Sequence, residues 1–140
     1  MFLNVRLRAH CHATEDPLRV KDALRFLLPS AKISERRMVG HYGNPIIVCE
    51  SKADRRGDAE HFWERIKSSI PLSELTEGLK ERIDEDCVLH MRLDKQRAYL
   101  GKIEIVKHED VIVVASRIES YPRKRRIAIQ KAKEFFKEKR

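Results

Sequence analysis

Three sets of residues in this chain are of types that do chemistry. His10 and His12 lie two apart, so an extended backbone puts both imidazoles on one side, and His90 can join them from another strand to offer nitrogen ligands of the kind zinc takes. With no carboxylate or thiolate at ligand spacing, the same histidines read as phosphate-facing or solvated groups, and no metal is expected. Asp84, Glu85, Asp86 and Asp94 are carboxylates such as hold magnesium in nucleases; they are equally ordinary turn formers that pair with Arg82 or Arg92. Cys11, Cys49 and Cys87 are odd in number, far apart and without CxxC spacing, the usage of a reducing compartment, so three free thiols are expected. None has an evident partner base. The reading therefore assigns no catalytic residue and no cofactor.

The cations are a different matter. The chain of 140 residues carries 30 Lys and Arg against 22 Asp and Glu, a formal charge of +8. They are unevenly spread: residues 1–40 hold 8 basic and 4 acidic groups, 41–100 hold 10 and 12, and 101–140 hold 12 and 6. A localised basic field favours polyanions, because each phosphate contact releases condensed counterions, and nucleic acid is the leading partner. The densest cluster is Arg123, Lys124, Arg125 and Arg126, just after Tyr121 and Pro122. Cations at a helix start oppose the helix dipole, which suits a bound anion; a solvated helix end is the alternative. Aromatic residues are 6% of the chain, and no RNP-type aromatic pair, GXXG loop or zinc-finger spacing occurs, so backbone and shape contacts are expected over base readout. Tyr42 and Tyr99 could stack on an unpaired base or pack at a core edge.

These residues need elements to position them. Leu3, Val5, Leu7, Ala9, Cys11 and Ala13 alternate with Asn4, Arg6, Arg8, His10 and His12, a strand with one core face and one basic face. Thr14, Asp16 and Pro17 open a helix whose apolar stripe is Val20, Ala23, Leu24, Leu27 and Leu28. A hairpin follows, from 31–39 through a turn at 41–45 to 46–49, and then a polar loop over 54–58. Phe62, Trp63, Ile66 and Ile70 mark a helix face, and a second helix is expected from Ser73, as its cap, to Ile83. Strands are expected at 87–94, 102–106 and 111–120, with a short helical turn at 95–101 and a basic amphipathic helix from Arg123 onward. Strands mixed with helices without regular alternation predict an α+β sandwich: one domain over residues 1–140, a mostly antiparallel sheet, helices on one face and the other face wet. No apolar run is long enough to span a membrane, and a soluble cytoplasmic protein is expected.

The blocks HATED (12–16), HYGNP (41–45), RIDED (82–86), RLDKQ (92–96) and YP (121–122), in this order and spacing, resemble an archaeal family described as RNA-binding proteins or predicted exosome subunits. The likeness covers nearly the whole chain. It implies a fold similar to that of the large-subunit ribosomal protein that holds the 5S RNA, a role in RNA metabolism, and exosome, ribosomal or RNase P components as partners. Carried residue by residue, it singles out His10, His12, His41, Asn44, Arg92, Asp94, Lys95 and Gln96. The combined reading is a non-enzymatic RNA-binding protein of RNA processing or ribosome assembly. Its site is Arg6, Arg8, His10, His12, His41, Asn44, Arg92, Lys95 and the cluster Arg123, Lys124, Arg125 and Arg126. Two alternatives stand beside it: a protein-docking adaptor of an RNA-processing complex, and a magnesium-dependent enzyme using Asp84, Asp86 and Asp94. Oligomeric state is not legible.

Overall fold

A computed structural model describes residues 1–40 and 42–138. The strands are β1 (Val5–Cys11), β2 (Ile33–Val39), β3 (Pro45–Ala53), β4 (Val88–Asp94) and β5 (Val111–Arg117). The helices are α1 (Pro17–Leu27), α2 (Arg56–Ser69), α3 (Leu72–Thr76), α4 (Leu79–Arg82), α5 (Lys95–Tyr99) and α6 (Arg125–Lys137). The strands form one sheet in the order β2-β3-β1-β5-β4, antiparallel throughout. This is the α+β arrangement that the mixed periodicities predict.

Alternation in β1 sets the layers. Val5, Leu7, Ala9 and Cys11 are buried while Arg6, Arg8 and His10 are exposed. The inner face meets α1, α2 and α6, whose Leu24, Leu27, Phe62, Trp63, Ala128 and Phe136 enter the same core. Trp63 stacks on Phe2 at 4.7 Å between centroids, and its indole N–H donates to Ser116 Oγ at 2.9 Å, so its polar edge is satisfied where it is fully buried. Asp16 accepts from Leu18 N–H at 2.9 Å and Pro17 takes the first helical position, which fixes where α1 begins. The three cysteines are free and buried. Burial raises the Cys11 and Cys49 thiols above their ordinary value, so they stay protonated.

Several local expectations are corrected. The helix expected from Ser73 to Ile83 is two short helices, broken at Gly78, whose φ of +68° a helix cannot use; α3 begins after Pro71, and Ser73 lies inside it rather than capping it. The stretch 102–106 is no strand: Ile105 makes one isolated bridge to Leu93. Part of the expected loop at 54–58 is the first turn of α2. Cys87 is not the first residue of β4 but turns the chain into it with φ +62°.

Candidate nucleic-acid interface

Register decides which side chains share the uncovered face. Arg6 lies opposite Lys52 on β3 and Ala115 on β5, and Ala115 lies opposite His90 on β4. One row further along, Ser34, Glu50, Arg8, Val113 and Arg92 follow one another across all five strands. The next row runs Arg36, Val48, His10. Arg117, opposite Val88, completes the face. The fully charged residues here are therefore the cations Arg6, Arg8, Arg36, Lys52, Arg92 and Arg117 and the carboxylates Glu50 and Asp94. Val48 is fully buried on this face, between His10 and Arg36, so long basic side chains roof a small apolar strip.

The ion pairs leave much of this charge available. Glu50 Oε1 is shared by Arg8 Nε at 3.6 Å and Arg36 Nη2 at 3.2 Å. Arg92 reaches the exposed Glu109 at 3.6 Å, and Lys52 reaches Asp54 at 3.7 Å. Such exposed pairs contribute under about 1 kcal/mol each and can open toward a stronger anion. Among the described residues no carboxylate lies within 4.0 Å of Arg6 or Arg117. Burial first, then the positive fields of His12, Arg8, Lys95 and Arg36, hold the His10 imidazole below its ordinary value of 6.5. It therefore sits neutral among the cations at pH 7, as a hydrogen-bonding group and not a positive one.

The remaining expected residues lie elsewhere. Lys95 is the clearest correction: it is 3% exposed and faces into the protein. Its Nζ donates to the His10 carbonyl at 2.7 Å, to Glu15 Oε1 at 2.8 Å and pairs with Asp110 Oδ1 at 2.8 Å, which occupies all three ammonium protons. His12 lies past the end of β1 in the turn that Glu15 closes, with its backbone N–H on Glu15 Oε1 at 3.2 Å. Asn44 lies in the β2–β3 turn, where its carbonyl accepts from Gly40 N–H at 2.7 Å and Gly43 holds φ +79°. His41 lies outside the described residues. The cluster at 123–126 belongs to the helix layer and does not extend the sheet face. Arg125 Nε donates to the Ile83 carbonyl at 2.7 Å and its Nη2 to the Lys80 carbonyl, tying α6 to α4, while Arg123, Lys124 and Arg126 are exposed.

The magnesium alternative fails on distance. Asp84 and Asp94 lie at opposite ends of β4, whose six residue steps span about 20 Å. Each has a structural task. Asp84 Oδ1 accepts from Asp86 and Val88 N–H at 2.9 and 3.0 Å while Oδ2 meets His90 at 2.8 Å; Asp94 caps α5 through Arg97 N–H at 2.8 Å and meets His108 at 3.0 Å. Among the described residues no three His, Cys, Asp or Glu side chains are grouped to hold a metal ion.

Sequence reasoning missed Arg36, Lys52 and Arg117. The signal for the last two was present: extending the alternation of β3 past Cys49 and of β5 past Val113 brings Lys52 and Arg117 out beside Arg6. β2 gave none, since an edge strand exposed on both sides has no burial period.

Known proteins resemble this chain over most of its length. A family model described as "RNA binding" matches residues 4–118. An RNA-binding protein of Pyrococcus abyssi is 33% identical over 141 residues, covering 94% of this chain and 92% of that one. A solved structure of a DUF54 protein from Methanothermobacter thermautotrophicus superposes with a TM-score of 0.89 at 33% identity, covering 98% of this chain and 99% of that one. Another DUF54 structure, from Archaeoglobus fulgidus, gives 0.87 at 36% identity over 96% and 99%. Matched over most of its length by both sequence and fold, the chain belongs to this RNA-binding family.

Proposed function

We propose that this protein grips the RNA backbone through the uncovered face of its sheet and acts without chemistry of its own in RNA processing or ribosome assembly. The observation that carries the reading is the register, which sets Arg6, Arg8, Arg36, Lys52, Arg92 and Arg117 on one open surface. Strands about 5 Å apart, with successive same-face residues about 7 Å apart along each, space the cations for repeated contacts along a phosphate backbone and not for base edges. Of the valines on this face only Val113 is exposed, and it offers a small apolar contact for a sugar or base face, with no hydrogen-bonding code. Shape or strand state, not sequence, would set preference. The family resemblance supports exosome, ribosomal or RNase P components as the surroundings in which such a module works.

Salt-dependent binding tests this. Affinity for structured and single-stranded RNA should fall steeply with salt, and replacing Arg6 and Arg117 together by Gln should flatten the log–log slope by about 2, roughly one per lost phosphate contact. The same change at Arg123 and Lys124 should leave the slope within about 0.5 of its original value. Equal effects at both places would move the interface off the sheet.

A further inference from the structure

The two edges of the sheet are finished differently. Along β4 the neighbouring chain covers both ends: Asp84 N–H donates to the Val88 carbonyl, Val106 N–H to the Arg92 carbonyl, and Asp94 N–H to the Glu104 carbonyl. Along β2 nothing comparable occurs. Gly40 N–H donates to the Asn44 carbonyl, making that pair a hydrogen-bonded one, and in an antiparallel ladder such pairs alternate. Ser34, Arg36 and Met38 therefore bond to β3, while the N–H and C=O groups of Ile33, Glu35, Arg37 and Val39 point away from the sheet. Among the described residues no group bonds to them from outside.

The charges on this edge carry a preference. Glu35 and Arg37 both face the helix side. Glu35 pairs with Lys21 of α1, whereas Arg37 has no carboxylate within 4.0 Å among the described residues. Inward-pointing charge on an edge strand is a device that rejects arbitrary strands, since a partner would bury it unpaired. One partner escapes the rejection. An antiparallel copy of β2 centred on Arg36 sets Glu35 opposite Arg37 twice, Ile33 opposite Val39 twice and Ser34 opposite Met38 twice. Its hydrogen-bonded positions are 33, 35, 37 and 39, the free ones. Shifting the centre by one residue, to 35 or 37, keeps the free groups bonded but sets Glu35 or Arg37 against itself, and shifting it by two, to 34 or 38, sets Glu35 opposite Ile33 or Arg37 opposite Val39 and loses the ion pairs. The cost of the favoured register is Arg36 opposite Arg36 on the outer face, eased because each is already held by Glu50 of its own chain.

We infer that β2 pairs with the β2 of a second copy of this chain about a two-fold axis through Arg36, joining two five-stranded sheets into one. The pairing adds roughly eight backbone hydrogen bonds but little apolar area beyond Val39 and Met38, so the dimer is weak and concentration-dependent. It also makes the cationic face continuous across both copies, with Arg36 at the seam.

Sedimentation equilibrium of the full chain from micromolar to millimolar concentration tests it. The expected result is a rise from the 16.5 kDa of one chain toward twice that mass, with amide exchange at Glu35 and Arg37 slowing as concentration increases. Replacing both Glu35 and Arg37 by Gln should weaken the dimer about tenfold, and the exchanged pair Glu35→Arg with Arg37→Glu should restore it, because the two cross-strand pairs are re-formed in reverse. A chain that stays monomeric to millimolar overturns the inference. So does tighter association of the Gln variant, which would make these charges guards against pairing, or a dimer in which the exchange of Glu35 and Arg37 is unchanged. RNA binding is read separately, so failure here leaves the cationic face standing.

Discussion

Replacing Lys95 by Met separates a structural role from an RNA-binding one. The ammonium is 3% exposed and donates to one backbone carbonyl and two carboxylates, at 2.7 to 2.8 Å, drawing together the end of β1, the turn before α1 and the start of β5. Removing one partner of a buried charge network costs about 3–5 kcal/mol, most of it from the groups left behind. Glu15 and Asp110 keep some reach to water, at 21% and 43% exposure, so the lower end, about 3 kcal/mol, applies. For a chain of this length that lowers Tm by about 10 °C. Burial alone would lower the Lys95 pKa, but the hydrogen bonds from Nζ to Asp110 and Glu15 outweigh it and raise the pKa above 10.5. Burial raises and the Lys95 and Gln96 hydrogen bonds more strongly lower the Asp110 pKa, leaving it below 3.8. A raised base stabilises below its unfolded pKa and stops as pH climbs through the folded one; a lowered acid stabilises above its unfolded pKa and stops as pH falls through the folded one. The difference between wild type and Lys95→Met should thus be level from about pH 5 to 10 and shrink toward either extreme. Urea unfolding followed by Trp63 fluorescence across pH measures it. A loss under about 1 kcal/mol, or an RNA affinity of the folded variant reduced as much as by Arg8→Gln, would refute the strut.

Other expectations are briefer. Ser51 Oγ is buried on the helix side with no hydrogen-bond partner among the described residues, so Ser51→Ala should leave stability unchanged or raise it by up to about 1 kcal/mol in thermal unfolding. Asp84→Ala removes the acceptor for two backbone N–H groups at the turn into β4 and should cost about 1–2 kcal/mol at pH 7. Burial opposes ionisation of Asp84, but the His90, Val88 and Asp86 hydrogen bonds hold its pKa below 3.8, so that cost should shrink as pH falls through the folded value. Arg125→Gln should lower stability by about 1–2 kcal/mol through the lost carbonyl bonds between α6 and α4, with RNA affinity unchanged in a filter-binding assay.

What the sequence discloses tracks how one-sided each element is. β1 is legible at nearly residue level because helices cover one face and solvent the other, so Val5–Cys11 carries a strict period of two. β2 is wet on both faces, and Arg36 and Arg37 sit side by side with no pattern to say which joins the open face. The break between α3 and α4 rests on one glycine conformation at 78 that apolar spacing does not report. Lys95 misleads most, since lysine is ordinarily a surface residue. What buries it is a pair of carboxylates 80 residues before and 15 after it, which only the folded chain brings together. Arg6, Arg8 and Arg92 follow from alternation read along single strands, Lys52 and Arg117 from the same alternation carried further along β3 and β5, and Arg36 only from the strand register.

Ile83 and Ile105, each bridging the far side of β4, act as end-stops. A fibril needs every molecule to offer two adhesive borders, one to receive and one to extend, and among the described residues only β2 forms such a border. Concentrating it should therefore give discrete pairs with clear solutions and no thioflavin-positive growth, even though a bare strand lies along one side.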